Sequence, residues 1–183
     1  MTAFIDTLTH LATQSYPTAP DLLAAIASAA KQAGYHVAET DDARPWGGFI
    51  RFEYADGDMF VDEFFTGTDP VVARLGNPQA ELSPKILLVA PKQRLSWQVH
   101  ARRAERWKFI TAGGYHKSMD ADVQGDVIMA QAGDDVQFAA GECHRLVGDA
   151  QGYTIVAEIW QHTDPTHLSD EADITRLADD YRR

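Results

Sequence analysis

Hydrophobic and polar positions change their period early in the chain. Across residues 21–33, Leu22, Leu23, Ile26 and Ala30 recur at spacings of three and four, which predicts an amphipathic helix. Pro20 stands at its start and Gly34 just past its end, as helix boundaries prefer. Arg44-Pro45-Trp46-Gly47-Gly48 then reads as a turn, because Pro fixes φ and Gly permits conformations other residues resist. From there the period drops towards two. Runs rich in β-branched and aromatic residues occupy 48–54, 59–65, 85–90, 95–100, 106–111, 126–130, 135–138, 144–147 and 153–161. Ala55-Asp56-Gly57-Asp58 has the composition of a hairpin turn between the first two.

Short strands separated by frequent turns predict an all-β sandwich or barrel rather than alternating strands and helices. Residues 66–82 form a long polar loop with some helical character. Ile174, Leu177 and Tyr181 share a face of an expected terminal helix over 170–183. No repeat or Pro/Gly-rich linker divides the chain. One domain is expected, with residues 1–40 an N-terminal helical extension and 41–183 a barrel ending in that helix.

Composition narrows the class. A chain of 183 residues, 45% hydrophobic and 23% charged, buries a core without disulfides. The single cysteine, Cys143, has no internal partner and fits a reducing cytoplasm. No apolar run approaches the ~20 residues of a membrane span, and residues 1–10 lack the basic-then-apolar pattern of a signal peptide. A formal net charge of −11 argues against nucleic acid as a partner. Small anionic substrates stay admissible, since a few local arginines or a metal outweigh a distant average.

The candidate chemistry lies in two segments. In Leu95-Ser96-Trp97-Gln98-Val99-His100, strand alternation puts Gln98 and His100 on one face. A turn over 101–104 returns the chain and brings Glu105 back towards them. In the second segment Gly141 makes a tight turn that delivers His144 onto another strand. An amide oxygen, two imidazoles and a carboxylate suit one divalent ion, zinc above all, with manganese, iron, cobalt or nickel as alternatives. Calcium, which takes oxygen ligands throughout, suits the set less well.

The spacing of Gln98, His100 and Glu105, followed by the glycine turn ending in His144, resembles the two motifs of the cupin family. Gln98 stands where most cupins carry a first histidine. The similarity is closest to the type II mannose-6-phosphate isomerases. It runs through Arg44-Pro45-Trp46-Gly47, Arg94-Leu95-Ser96, Arg103-Ala104-Glu105, Trp107, Ala140-Gly141, His144-Arg145-Leu146 and Glu158. It continues through Asp173-Ile174, Arg176, Asp179, Tyr181 and Arg183. Several positions depart from the family pattern, among them Ala101-Arg102 after His100, Arg106 beside Trp107, Ala139 and Arg182; none of them is one of the four proposed ligands.

The resemblance implies a cupin jelly-roll barrel, usually a homodimer. It also implies isomerisation of mannose 6-phosphate to fructose 6-phosphate, with Gln98, His100, Glu105 and His144 on the metal. Glu158 and Lys85 are the catalytic candidates, and Arg44, Arg145, Arg176 and Arg183 the substrate-phosphate candidates. Two further readings stand beside it: an isomerase of a free sugar such as lyxose or mannose, and a non-catalytic sugar-binding cupin.

Each assignment has a plainer counterpart. Glu158 and Lys85 act only if strand register turns them inward; otherwise they are solvated charges. Arginines commonly form surface ion pairs, and Arg102-Arg103 reads as loop charge. Trp46, Trp97, Trp107 and Trp160 read as core and barrel-mouth packing. His10, His36, His116, His162 and His167 read as structural. Cys143 faces away from His144 on a strand, which excludes a Cys–His dyad. Asp62-Glu63, read on a strand, presents one carboxylate to each face.

Overall fold

The computed structural model describes residues 3–181. Helices α1 (Phe4–Ala12) and α2 (Ala19–Gln32) lead into strands β1 (Val37–Arg44) and β2 (Gly47–Phe52). A single 3₁₀ turn (Tyr54–Asp56), α3 (Gly57–Phe64) and the short α4 (Pro70–Ala73) follow. The remaining strands are β3 (Lys85–Val89), β4 (Trp97–Val99), β5 (Arg103–Phe109), β6 (Gly113–Ser118), β7 (Ile128–Ala130), β8 (Asp135–Phe138), β9 (Cys143–Gly148), β10 (Thr154–His162) and β11 (Thr175–Ala178). They make two sheets, ordered β1-β2-β3-β10-β5-β8 and β11-β4-β9-β6-β7, and every strand pair is antiparallel.

The central strands of the six-stranded sheet are buried on both faces, and alternation divides their residues between two cores. Leu87, Val89, Trp107, Phe109 and Val156 point inward and meet Leu146 and Ala130 of the other sheet. Ile86, Leu88, Ile50, Phe52, Ile155 and Ile159 point outward and are covered by Phe4, Leu8, Leu22, Leu23 and Ile26 of the two N-terminal helices. The predicted helix is α2. Its first turn is capped by Thr18, whose hydroxyl accepts from the Asp21 amide, with Pro20 in that turn.

Three expectations need correction. Residues 59–65 are mostly helix α3, not a strand, and Ala55-Asp56-Gly57-Asp58 opens that helix instead of forming a hairpin. Phe60 and Phe64, one helical turn apart, pack on Phe4, Tyr35 and Phe52, so tertiary contact settles a period that a short apolar run leaves ambiguous. Glu63 is consequently structural: its carboxylate accepts from Tyr35 Oη at 2.6 Å and the Ile5 amide at 2.9 Å. The expected C-terminal helix is replaced by β11, which pairs with β4 and sets Arg176 opposite Gln98. Strands β1 and β6 escaped the sequence reading because one is largely polar and the other opens on two glycines.

Candidate metal centre

Strands β4 and β9 are neighbours, with Gln98 directly opposite His144. Gly141 turns the chain at a positive φ of 81°, and its N–H donates to the His100 carbonyl at 2.8 Å, tying the second motif to the first. Glu105 approaches from β5 in the facing sheet. One ligand atom from each of His100, Glu105 and His144 lies within 4.8 Å of the other two, and all three residues are buried.

Hydrogen bonds fix which ring nitrogens face that point. His100 Nδ1 lies 2.5 Å from the Asp173 carbonyl oxygen and His144 Nδ1 lies 3.0 Å from that of Glu142. A carbonyl only accepts, so both Nδ1 atoms carry hydrogen and both Nε2 atoms are turned inward. There they meet the Glu105 carboxylate, His100 Nε2 at 3.0 Å from Oε1 and His144 Nε2 at 3.1 Å from Oε2. Two imidazole lone pairs aimed at a carboxylate repel unless a proton or a cation lies among them. Burial pulls the His100 pKa down, yet Glu105 outweighs it and the net shift is upward. Burial pushes the Glu105 carboxyl up, but His100, His144 and Arg103 hold it well below the usual range. The donor set, with backbone carbonyls orienting both imidazoles, therefore fits a divalent N/O-loving ion. Gln98 is buried and lines the adjoining cavity; its Oε1 accepts from Ser96 Oγ at 2.9 Å and keeps a second lone pair.

No family model matches the sequence, and no curated protein does. Solved structures do resemble it. The capsular polysaccharide assembling protein CapF from Staphylococcus aureus aligns with a TM-score of 0.51 at 12% identity, covering 87% of this chain. The chain spans 38% of CapF's length. A double-stranded β-helix protein from Klebsiella pneumoniae gives 0.42 at 16% identity over 65% of this chain and 89% of its own. A sugar phosphate isomerase of the cupin superfamily from Silicibacter pomeroyi gives 0.39 at 16% identity over 49% and 57%. At such identities the likeness concerns the fold. The chain has the cupin fold.

Within the cupin barrel a cavity of about 160 Å³ opens beside the cluster. At ~30 Å³ per water that is room for about five waters, the scale of a small polyol. Glu158 of β10 turns inward and lines it, and Trp107 Nε1 donates to its Oε2 at 2.9 Å. Burial first, and the neighbouring Glu105 charge second, push the Glu158 pKa up to about 7 against the pull of Lys85 and Arg103. Lys85, opposite Glu158 on β3, also lines the cavity. Its Nζ stands 3.9 Å from Glu158 Oε1 and 3.0 Å from Glu171 Oε1.

The four arginines separate. Arg44 and Arg176 line the cavity, Arg44 already paired with Asp41 at 2.7 Å. Arg145 does not line the cavity. It neighbours inward-facing His144 on β9 and so turns away, its Nε donating to the Leu95 carbonyl and its guanidinium pairing with Asp180 at 2.9 Å. Arg183 lies outside the described residues.

Arg103, read from sequence as loop charge, belongs to the site. Its buried guanidinium donates to Glu105 Oε1 at 3.0 Å, to Ser169 Oγ and to the Asp170 carbonyl, and stacks 3.9 Å above Trp160. The signal was available in the alternation, since Arg103, Glu105 and Trp107 share a strand face. Asp173 gave no such signal. Its carboxylate accepts from the Ala101 and Arg102 amides, 3.0 Å each, and from Ser169 Oγ, holding the β4–β5 turn while its carbonyl orients His100.

Proposed function

We propose that this protein is a metal-dependent aldose–ketose isomerase of a sugar phosphate, with mannose 6-phosphate and fructose 6-phosphate as the lead pair. The observation that carries the reading is Glu158, an inward-facing carboxyl on the same cavity as the His100–Glu105–His144 cluster. A divalent ion held by those three residues and Gln98, zinc being the first choice, would polarise the sugar carbonyl and acidify the adjacent C–H. Glu158 accepts the proton from C2 and returns it to C1, while the hydroxyl proton on O2 passes to O1 and the carbonyl moves from C1 to C2. In the metal-free protein its pKa stands near 7, and a bound cation would draw it down towards the carboxylate form that takes the C2 proton. Trp107 holds one Glu158 oxygen, leaving the other towards Lys85, whose ammonium balances the charge as the proton moves. Arg44 and Arg176 are the cations available to a substrate phosphate.

Two observations support a second reading, isomerisation of a free sugar: Arg145 turns away from the cavity, and Asp41 already engages Arg44. The test is metal analysis coupled to isomerase assays on mannose 6-phosphate, mannose and lyxose. Turnover of the phosphorylated sugar that disappears on chelation and returns with zinc or manganese supports the lead. Preference for a free sugar selects the second reading, and a fully metallated protein inert to all three leaves a sugar-binding cupin. The homodimer implied by the sequence resemblance belongs to the same reading, and sedimentation showing a monomer at micromolar concentration would overturn it.

A further inference from the structure

The four tryptophans differ in the fate of their indole N–H. Trp97 donates to the Ala121 carbonyl and Trp107 to Glu158, each at 2.9 Å. Trp46 and Trp160 are comparably buried, at 5% and 1% exposure, yet neither indole nitrogen has an acceptor among the described residues. Buried tryptophans normally find one, because an unpaired buried donor gives up its hydrogen bond to water and gains none in return. Trp160 does not line the cavity; it is covered by Arg103 and by Lys85, 3.9 and 4.6 Å from its ring centre. Trp46 does line it, together with Arg44, Phe49 and Arg176.

The backbone leaves Trp46 little freedom to seek a partner elsewhere. It sits in the two-residue connection between β1 and β2, where Pro45 limits φ and Arg44 pairs with Gly47. Its carbonyl accepts from the Ala90 amide at 2.8 Å. Gly47 follows at φ 140°, where an added Cβ would stand 2.0 Å from the Leu88 carbonyl oxygen, so the turn is pressed against β3. The turn, which packing does not let move, thus holds the Trp46 ring at the cavity wall with its indole N–H buried and unpaired.

We propose that Trp46 is a substrate-binding residue whose indole N–H donates to an oxygen of a sugar-class ligand seated in this cavity. The choice of sugars as ligand rests on the isomerase reading; the unpaired donor does not. Trp46→Phe keeps an aromatic ring and removes the N–H. Calorimetry on the metal-loaded protein should show the dissociation constant for mannose 6-phosphate or mannose rising three- to tenfold, the range of one neutral hydrogen bond, with metal content unchanged. In ¹⁵N-labelled wild type, the indole signal missing from Trp46→Phe should shift on sugar addition while that of Trp97 stays still. Assigning that indole signal by triple resonance in the wild type keeps this second measurement independent of how the variant folds.

Binding unchanged within twofold together with a static Trp46 signal overturns the inference, and intact turnover in that case leaves the isomerase reading standing. Weakened binding and a shifted signal without any turnover support the inference and overturn the isomerase reading. A wild type that binds no sugar and shows no shift overturns both.

Discussion

Glu158 is where one residue's environment has the sharpest consequence. In the metal-free protein its folded pKa near 7 lies above the ordinary 4.5, so between those values the folded chain keeps a proton that the unfolded chain releases. Stability therefore falls as pH rises through that window. The cost above it is on the order of 3 kcal/mol, little screened because the group is buried. Glu158→Gln should accordingly raise metal-free stability at pH 8, change it little at pH 4.5, and cut turnover by about 10²–10⁴. Denaturant unfolding at the two pH values decides this; equal effects at both would remove desolvation as the cause. The adjacent pair on β9 gives a second residue-scale test. His144→Ala should abolish metal binding while Cys143→Ala leaves it intact, because neighbouring strand residues face opposite ways. Equal loss of bound metal from both would refute that facing.

Between residues and fold stands the irregular segment from His162 to β11. Ser169 N donates to His162 Nδ1 at 3.1 Å, Arg103 binds Ser169 and Asp170, and Asp173 closes on the β4–β5 turn. The segment lends Glu171 and Ile174 to the cavity wall, and it orients His100 through the Asp173 carbonyl and Glu105 through Arg103. Asp173→Ala keeps that carbonyl but releases the Ala101 and Arg102 amides, so loosening of the turn should weaken zinc affinity by up to about tenfold. Competition with a chromophoric chelator measures this. Unaltered affinity would show that the turn over 101–104 holds its shape alone.

At the scale of the whole molecule, the metal cluster joins the two sheets: His144 belongs to one, Glu105 to the other, and His100 follows β4. An ion bound there links both halves of the barrel and stabilises only the folded chain. Chelation should lower the melting temperature and zinc or manganese should restore it, by about 2.7 kcal/mol at a hundredfold excess over the dissociation constant. A melting curve indifferent to chelator and metal would count against a cation at this point. No described helix is long and apolar enough to cross a membrane.

The text alone determined what depends on neighbours in sequence. Helix α2 was readable from its spacing, its proline and the glycine beyond it, and most inward strands from their β-branched and aromatic runs. His100, Glu105 and His144, which the fold brings together, stand in local motifs that carry their chemistry with them, while Gln98 as a fourth ligand belongs to the proposal. Tertiary structure alone decided what depends on register and on partners far away. It turned Glu158 and Lys85 inward and Arg145 outward, and made a strand of residues 175–178. It brought Arg103 and Asp173 to the cluster and left Trp46 without an acceptor. A side chain's face is a local property once a strand is known, but its partner is set by how two sheets close on each other, and that closure is written in no single stretch of the chain.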